Sequence, residues 1–323
     1  MTSIKDRLRE FNIPFQENVS LKEKTWIKTG GTVSLWIVPT TVEGLETAIE
    51  ILCSHNIEFE LVGHTSNIYY FDDYNPKVII STIKVKQFEE KDSYIECACG
   101  TPVAILSRFC VEKGYKGYYG LVNLPGTVGA ALCNNSSCFD CSISEHLIDC
   151  TFYDLDKKKV VSLKPNDFDF KFRNSKLKIK KLKGVILLIK LEKRIGNVEE
   201  EKSKAAKATY LRKITQEAPA YTLGSVYAGL THKNGFKAKL AVWGGGRIMR
   251  VCGIYNKKRY INFLLALYGC SDIKAFVSDR NINTFKWLPN RTDKNKMFQR
   301  YQNFIGQIYK DPKLEIEIRD GGK

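Results

Sequence analysis

GLVNLPGTVGAALCNN, residues 120–135, is the stretch of sequence that decides the fold. It is a run of small residues with Pro125, Gly126 and Gly129 at its turns, so its backbone N–H groups are left uncovered. Uncovered N–H groups can approach a phosphate more closely than any side chain allows, which predicts an anion-binding loop. A Pro-Gly pair is also the commonest composition of an ordinary turn, and on this stretch alone that alternative stays open.

A second loop of small residues favours the anion-binding interpretation. Residues 62–67 read VGHTSN and lie between two apolar runs. Two loops of this kind can hold one extended diphosphate from both sides. The sequence therefore predicts a diphosphate site built from two loops.

The composition is that of a globular protein of two or three domains. The chain has 323 residues, of which 43% are hydrophobic and 27% are charged. No segment approaches the roughly 18 to 20 uninterrupted apolar residues of a membrane span, and the start, MTSIKDRLREFNIPF, lacks the apolar core of a signal peptide. We therefore expect a cytoplasmic monomer with no membrane partner.

A formal net charge of +16 predicts an anionic partner. Nucleic acid, a membrane surface and phosphorylated small molecules all fit this charge. The densest basic run, residues 176–183 (KLKIKKLK), alternates lysine with aliphatic rather than aromatic residues. That pattern is typical of a solvated strand edge and not of a nucleic-acid platform. We therefore expect phosphorylated small molecules as partners and no nucleic acid.

Ten cysteines in a chain with no export signal are expected to be reduced. The spacing of Cys133, Cys138 and Cys141 matches the first three ligands of a plant-type iron–sulfur cluster, with Cys150 as a fourth that is unusually close in sequence. Because the stretch is already assigned to the anion-binding loop, we interpret these cysteines as small buried hydrophobic residues and expect no metal site.

The order of predicted elements gives two successive α+β regions and a third, irregular one. Strands at 34–38 and 59–62 flank a helix over 41–55, a βαβ unit whose exit carries the VGHTSN loop. After a helix over 102–114, strands at 147–153, 160–163 and 185–191 complete the second region. An exposed helix is predicted over 198–213, and Gly244-Gly245-Gly246 interrupts the pattern of the third region.

Seven short motifs follow one another in the order found in one enzyme family. They are residues 25–31 (TWIKTGG), 63–67 (GHTSN), 125–131 (PGTVGAA) with Asn135 and Phe139, 172–175 (FRNS), 224–227 (GSVY), 277–283 (VSDRNIN) and 314–319 (LEIEIR). By these motifs, which span most of its length, the chain resembles the UDP-N-acetylenolpyruvoylglucosamine reductase (MurB) family. A single match of this kind is weak, whereas seven in the right order are a specific signal.

The resemblance implies an α+β FAD-binding fold of the vanillyl-alcohol-oxidase (PCMH) type. We expect FAD-binding subdomains at 1–85 and 86–195, a substrate-binding domain at 196–310 and a C-terminal strand at 311–323 that returns to the active site. In the family, NADPH reduces FAD, and the flavin then passes hydride to UDP-N-acetylglucosamine enolpyruvate, giving UDP-N-acetylmuramate for peptidoglycan synthesis. The expected partners are therefore FAD, NADPH and a UDP-sugar.

The resemblance assigns catalytic roles to Arg173, Ser225 and Glu317. The planar guanidinium of Arg173 would hold the substrate carboxylate and stabilise enolate-like charge. Ser225 would donate the proton to C2 of the enolpyruvyl group, and Glu317 would polarise that group or relay the proton, and in its ionised form could pair with Arg173. From the pattern alone a solvated arginine, a turn serine and a surface glutamate stay open as alternatives.

The same resemblance assigns binding residues. Arg173, Lys213 and Tyr227 are expected to bind substrate, although Lys213 also fits an exposed helix position. The residues expected to bind FAD are Thr29, Gly30, Gly63, His64, Thr65, Ser66, Asn67, Pro125, Gly126, Thr127, Val128, Gly129, Ala131 and Asn135.

The chain departs from the family pattern at positions that concern both ligands. His64 and Thr65 stand where the family has two glycines, so side chains must be accommodated at the diphosphate. Gly229 stands near the position of a substrate-binding Asn, and Phe276 and Asn281 replace Gln and His. Residues 231–275 form an atypical replacement or insertion.

These departures leave two alternatives to the reductase. One is an FAD-dependent oxidase or dehydrogenase of the same fold that acts on another carboxylate-bearing substrate. The other is an FAD-binding module that has lost turnover.

Overall fold

The computed structural model describes residues 2–218, 221–288 and 291–321. The chain forms two compact units, each made of segments that are not contiguous in sequence. Unit 1 comprises Met1–Thr25, Gly30–Ser66 and Tyr74–Tyr210, and unit 2 comprises Trp26–Thr29, Asn67–Asp73 and Leu211–Lys323.

Short strands and helices alternate along both units. The helices are α1 (Thr2–Glu10), α2 (Leu21–Lys24), α3 (Val42–Ser54), α4 (Val103–Glu112), α5 (Val128–Cys133), α6 (Pro165–Phe168), α7 (Val198–Thr215), α8 (Phe236–Lys239), α9 (Ile248–Val251), α10 (Lys257–Leu267) and α11 (Lys294–Ile308). The strands are β1 (Phe15–Ser20), β2 (Thr32–Ile37), β3 (Glu60–Val62), β4 (Ile68–Tyr70), β5 (Val78–Ser81), β6 (Phe88–Glu90), β7 (Tyr94–Ala98), β8 (Ser137–Cys138), β9 (Cys141–Ser142), β10 (Leu147–Asp154), β11 (Lys159–Leu163), β12 (Gly184–Glu192), β13 (Tyr227–Ala228), β14 (Thr231–His232), β15 (Tyr309–Lys310), β16 (Lys313–Leu314) and β17 (Glu317–Arg319).

The first sheet of unit 1 has the strand order β1-β2-β5-β3. Strands β2 and β3 run parallel to β5, and α3 makes the connection between β2 and β3. The Thr41 hydroxyl caps α3 by accepting the N–H of Gly44 at 3.0 Å, and the helix buries Leu45, Ile49 and Leu52 on one face. The loop at residues 63–66 follows the carboxyl end of β3, as the predicted βαβ unit requires.

The second sheet of unit 1 is antiparallel throughout, with the order β11-β10-β12-β7-β6. Its central strand β12 buries Val185, Ile186, Leu187 and Ile189 almost completely, because helices and loops cover both of its faces. This strand therefore anchors the core of the second half of unit 1.

Unit 2 is built around an aromatic core. The ring centroids of Tyr69 and Trp287 lie 3.9 Å apart, and Phe285 and Phe298 lie 4.7 and 4.8 Å from Trp287. Tyr69 belongs to β4, which pairs in parallel with β17 near the end of the chain. A short segment from early in the sequence is thus held by aromatic packing and by the C-terminal strand.

The basic run at residues 176–183 forms turns, so the predicted strand edge is wrong. The Ser175 hydroxyl accepts the N–H of Lys178 at 3.1 Å and starts a series of turns that ends before β12. Leu177 and Leu182 pack against the core of unit 1, which explains the alternation of lysine with aliphatic residues.

Gly244-Gly245-Gly246 does not interrupt helical structure, contrary to the sequence-based expectation. The three glycines lie in a π-helical segment, Leu240–Arg247, that continues α8 into α9. At Gly245 a Cβ atom would lie 2.3 Å from the Phe263 ring, so close packing against α10 requires a glycine there.

Among the described residues, no helix is both long enough and apolar enough to cross a membrane.

His146 is a buried histidine in unit 1 that is held neutral. Its ring is 1% exposed and stacks on Tyr118 with ring centroids 4.1 Å apart. Nε2 donates to the Gly117 carbonyl at 3.3 Å, while Nδ1 has no protein partner among the described residues. Burial, with a smaller contribution from Arg194, lowers the pKa of His146 to about 4.

The depressed pKa of His146 predicts that the protein loses stability in mild acid. Below the unfolded-state pKa of about 6.5, the unfolded chain binds a proton that the folded chain rejects, so stability is fully present above that pH. From pH 7 to pH 5 this histidine should remove about 2 kcal/mol from the free energy of unfolding. Urea unfolding of His146→Phe should lack this component of the pH dependence, whereas a variant at the exposed residue, His55→Gln, should retain it. Identical pH profiles for His146→Phe and the parent would contradict the assignment.

Candidate active site

The two small-residue loops of unit 1 are in direct contact. A Cβ atom built on Gly63 would lie 2.6 Å from the Thr127 hydroxyl, closer than real Cβ contacts come. Gly126 has a φ of +118°, and a Cβ there would lie 3.4 Å from the Ser66 hydroxyl. The structure therefore brings together the two loops that the sequence singled out, and glycine is required where they meet.

The second loop is fixed by its own backbone. The N–H groups of Val128 and Gly129 donate to the carbonyls of Thr101 and Cys99 at 2.9 and 2.8 Å, and that of Ala131 donates to Thr127 at 2.9 Å. These three residues were expected to bind FAD, but their N–H groups are already used by protein acceptors. These bonds hold the loop in place. Only the residues before Val128 can therefore donate their N–H groups to a ligand.

Five backbone N–H groups remain available at the junction of the loops. Within the described residues, those of Gly63, His64, Ser66, Gly126 and Thr127 donate to no protein acceptor. Buried or half-buried N–H groups need a partner, and a set of them around two glycines suits the oxygens of a diphosphate. The residues present therefore fit the diphosphate of a dinucleotide cofactor.

Thr65 adopts a backbone conformation that glycine accommodates more easily than threonine. Its φ is +52°, in the left-handed region that β-branched residues avoid, and the residue is 5% exposed. Holding it there costs on the order of 1–3 kcal/mol. The turn geometry of the loop is thus maintained without the glycine.

His64 adds no positive charge to this loop near neutral pH. Burial, and then the nearby charge of Lys86, lower the pKa of the His64 imidazole. Its neutral ring can donate one hydrogen bond to a phosphate, but it provides no ionic attraction.

The other residues expected to bind the cofactor lie in both units. Gly30 has a φ of +114° and belongs to unit 1, while Thr29 belongs to unit 2 and is 1% exposed. Asn67 belongs to unit 2, where its side-chain Nδ2 donates to the Glu315 carbonyl at 3.1 Å. Asn67 thus tethers the C-terminal segment, and its contact with FAD stays a prediction.

The turn that carries Arg173 is tied to the end of α5. Arg173 itself has a φ of +55°, inside a tight turn closed by two hydrogen bonds between Lys171 and Asn174. Asn135 Nδ2 donates to the Lys171 carbonyl at 2.7 Å, and the Ser175 hydroxyl donates to the Cys133 carbonyl at 2.6 Å. Arg173 is therefore held at a defined distance from the second loop.

Asn135 is hydrogen-bonded to protein groups at both ends of its side-chain amide. Besides the bond from Nδ2, its Oδ1 accepts from the hydroxyls of Ser142 and Ser144 at 3.2 and 2.5 Å. With both ends of the amide used by the protein, Asn135 acts in the structure as an anchor for the Arg173 turn, and its contact with FAD stays a prediction.

Unit 2 pairs the segment that follows Ser225 with the segment that precedes Glu317. Strand β13 pairs with β16, Tyr227 opposite Leu314, and the Glu315 N–H donates to the Val226 carbonyl at 2.8 Å. Two residues later the Glu317 N–H donates to the Asn67 carbonyl at 2.8 Å. Half-buried Ser225 and Glu317 therefore lie on neighbouring backbone segments although they are far apart in sequence.

The Glu317 carboxylate is paired with an arginine that the sequence did not single out. Its Oε2 lies 2.7 Å from Arg319 Nη2, with both side chains about a third exposed or less. Pairing of Glu317 with Arg173, which belongs to unit 1, stays a prediction, as does the meeting of all three catalytic residues at one site.

Asn283 fixes the segment that follows Ser225. Its Oδ1 accepts the Tyr227 N–H at 3.0 Å, its Nδ2 donates to the Tyr227 carbonyl at 2.7 Å, and its own carbonyl accepts the Val226 N–H at 2.9 Å. The Asn283 side chain thus makes the hydrogen bonds that a neighbouring strand would otherwise make. Asn283 lies within the VSDRNIN motif, but its role was not predicted from the sequence.

Tyr227 and Lys213, two residues expected to bind substrate, differ in placement. Tyr227 is 4% exposed and belongs to the core of unit 2, so its ring packs against protein rather than facing a ligand. Burial raises its pKa to about 12. Lys213 is exposed near the end of α7, and Arg280 Nη1 donates to the carbonyls of Lys213 and Gln216 at 2.6 and 2.9 Å. Substrate binding by Lys213 stays a prediction.

Two departures from the family pattern have structural explanations. Phe276 is 1% exposed and stacks with Phe285 at 5.5 Å, so it contributes to the core of unit 2. The Asn281 Oδ1 accepts the Asn283 N–H at 3.0 Å and supports the residue that fixes Tyr227.

The cysteines of the second loop do not assemble a metal site. Among the described residues, no three His, Cys, Asp or Glu side chains are placed to hold a metal ion. Cys138 and Cys141 face each other across β8 and β9, while Cys150 is buried in β10. The four cysteines of the iron–sulfur alternative therefore do not form a ligand group.

Comparison with known proteins identifies FAD as the cofactor. A family model described as "FAD binding domain" matches residues 33–162, which include both loops. A solved UDP-N-acetylenolpyruvylglucosamine reductase from Thermus caldophilus aligns over 95% of this chain and all of its own, with a TM-score of 0.67 and 17% identity. The expected α+β FAD-binding fold of the vanillyl-alcohol-oxidase type is confirmed.

Proteins named UDP-N-acetylenolpyruvoylglucosamine reductase match most of the chain. The protein of Caldicellulosiruptor saccharolyticus is 30% identical over 194 residues, which are 60% of this chain and 61% of that protein. The matches from Caldicellulosiruptor bescii and Aquifex aeolicus are 29% and 28% identical, and each covers 83% of this chain and 83% and 88% of the relative. This chain thus spans less than two thirds of the first relative and most of the other two.

Adding one methyl group at Gly63 should weaken cofactor binding. In Gly63→Ala the new Cβ must displace Thr127, so the two loops separate and the N–H donors move. We expect the Kd for FAD, measured by titrating apoprotein, to rise by about tenfold or more. Gly306→Ala, on α11 where nothing lies within 4 Å of the new methyl, is the matched control. Equal Kd values for the two variants would contradict the two-loop site.

Removing the Asn283 side chain should release the Ser225 segment. The buried Tyr227 N–H loses its acceptor in Asn283→Ala, at a cost of about 1–3 kcal/mol. Amide hydrogen exchange at Tyr227 should therefore accelerate by about tenfold or more. Asn303→Ala, at an exposed position on α11, should leave this rate unchanged. Unchanged protection of Tyr227 in Asn283→Ala would show that β16 alone holds the segment.

Proposed function

The chain is a divergent member of the UDP-N-acetylenolpyruvoylglucosamine reductase family, and from that premise we propose that it reduces UDP-N-acetylglucosamine enolpyruvate to UDP-N-acetylmuramate. FAD is its cofactor and NADPH its reductant. The product would serve peptidoglycan precursor synthesis, and we propose that the enzyme acts as a cytoplasmic monomer.

The observation that carries this proposal is the pairing of the Ser225 and Glu317 segments within unit 2. A reduction of an enolpyruvyl ether needs a proton at C2, and this pairing supports the proposal that the Ser225 hydroxyl donates that proton with the assistance of the Glu317 carboxylate. A serine hydroxyl is a weak acid at neutral pH, so it needs a charged group nearby to donate its proton. The Glu317–Arg319 ion pair provides the local charge that can assist proton transfer.

Other groups of the protein bind the cofactor and the substrate. The N–H groups of the two loops in unit 1 hold the cofactor diphosphate, and FAD when bound supplies the hydride chemistry. Arg173 orients the substrate carboxylate with its planar fork and stabilises the negative charge that develops toward it. Ser225 gives its proton at C2, and Lys213 meets a phosphate of the UDP group.

The backbone conformation of Arg173 supports its role. A left-handed turn anchored by Asn135 and Ser175 limits the positions that its guanidinium can reach. Fixing a charged group before the substrate arrives reduces the reorganisation needed at the moment of reaction. This is the arrangement that a carboxylate-binding arginine requires.

Two spectroscopic steps test the proposed reaction. We expect purified protein to have a flavin absorbance band near about 450 nm that NADPH bleaches without oxygen. Adding UDP-N-acetylglucosamine enolpyruvate should then restore the band. Bleaching without reoxidation would contradict the proposed substrate and favour an oxidase or dehydrogenase on another carboxylate. Absence of a flavin band would favour a module without turnover.

Ser225→Ala should separate proton donation from cofactor reduction. We expect reoxidation by the substrate to slow by about 10²–10⁴-fold, the usual contribution of a positioned proton donor, while bleaching by NADPH is unchanged. Ser34→Ala, at an exposed position in β2, should resemble the parent in both steps. A Ser225→Ala variant with parental reoxidation would remove Ser225 from the reaction.

A further inference from the structure

One region of unit 2 has positive charge without any negative charge. Residues 218–271 contain eight lysines and arginines and no aspartate or glutamate, although acidic residues are frequent elsewhere in the chain. The formal net charge of the whole chain is +16, so half of it comes from about one sixth of the sequence. A concentration of this kind marks a surface for an anionic partner.

The same region exposes large apolar side chains. Phe236, Ile248 and Val251 are 83%, 60% and 88% exposed, and Ile254 is 50% exposed. They lie on or beside the continuous helical run formed by α8, the π-helical segment and α9. Scattered exposed apolar residues are ordinary, but a group of them on one short run marks an interaction site.

Small residues of the run contact the rest of unit 2. Ala238 and Ala241 are buried, Gly245 packs against Phe263, and the Tyr260 hydroxyl donates to the Ala241 carbonyl at 3.3 Å. Gly245 and Ala241 thus contact α10, whereas Phe236, Ile248 and Val251 remain exposed. We call Phe236, Lys237, Lys239, Ile248, Arg250 and Val251 the basic apolar surface.

The charges of this surface are not neutralised by the protein. Neither Lys237 nor Lys239 forms an ion pair within the described part of the chain. Lysines of unit 1 differ in this respect: Lys204 lies 2.7 Å from Glu200, and Lys183 lies 3.5 Å from Asp156. The basic apolar surface thus combines unpaired ammonium groups with exposed hydrocarbon.

We propose that the basic apolar surface binds the surface of an anionic phospholipid bilayer. Lysine and arginine meet the lipid phosphates, while Phe236, Ile248 and Val251 enter the boundary between headgroups and acyl chains. A nucleic acid would favour several exposed aromatic rings for stacking, whereas this surface has one, Phe236, and its other apolar residues, Ile248 and Val251, are aliphatic. The contact is peripheral and reversible, and it revises the sequence-based expectation that the protein has no membrane partner.

Vesicle binding tests the proposal with the FAD-loaded protein. We expect sedimentation with vesicles of phosphatidylglycerol and phosphatidylcholine, much weaker sedimentation with phosphatidylcholine alone, and weaker binding as salt screens the charges. Lys237→Glu with Lys239→Glu should raise the Kd for anionic vesicles by about tenfold or more. Phe236→Ser with Val251→Ser should also raise it by about tenfold, because apolar burial is lost.

Matched variants on unit 1 separate this surface from general positive charge. Lys180→Glu with Lys181→Glu changes the charge equally, and Ile105→Ser with Ile195→Ser removes two apolar residues that are also more than half exposed. Both should bind vesicles as the parent does, and all variants should keep the parental flavin content and Tm. Three results would overturn the proposal: no binding to anionic vesicles at low salt, equal losses in the unit 1 variants, or tighter binding to a DNA duplex than to vesicles.

Discussion

The contact between Gly63 and Thr127 is the constraint on which the cofactor half of the molecule depends. Only a residue without a side chain lets the two loops approach to this distance, since a Cβ atom would lie 2.6 Å from the Thr127 hydroxyl. Thr127 in turn caps α5, and α5 ends at the residues that anchor the Arg173 turn. One close approach therefore fixes both the N–H groups at the junction of the loops and the anchor of the turn that carries Arg173.

In unit 2, the segment that follows Ser225 pairs with the segment that precedes Glu317, about ninety residues later in the sequence. Strands β13 and β16 have two residues each, so their pairing is too short to be stable without further support. Asn283 supplies the missing hydrogen bonds on one side of the Val226–Tyr227 segment, and the aromatic core around Trp287 supports it. Local rigidity at Ser225 is thus produced by an amide side chain and by packing instead of an extended sheet.

Local patterns in the sequence were sufficient for the elements that depend on local interactions. The helix at Val42–Ser54 follows from apolar spacing and the Thr41 cap, and the two loops follow from their small residues. The turns at residues 176–183 could not be predicted, because alternating lysine and leucine fits a strand equally well until the Ser175 hydroxyl is placed. The role of Asn283 rests on a contact with a residue 56 positions earlier, and the burial of Tyr227 depends on the whole aromatic core. Such long-range contacts leave no local signal.

The parallel pairing of Ile68–Tyr70 with Glu317–Arg319 has a consequence for biosynthesis. A ribosome releases residue 68 long before residue 319, so this early strand has no partner while the rest of the chain is being made. Unit 1 can complete both of its sheets during translation, because every strand in them precedes residue 193. Unit 2 can complete its fold only after residues 317–319 have left the ribosome, and a chain that stops before residue 317 leaves the Tyr69 segment without its strand partner.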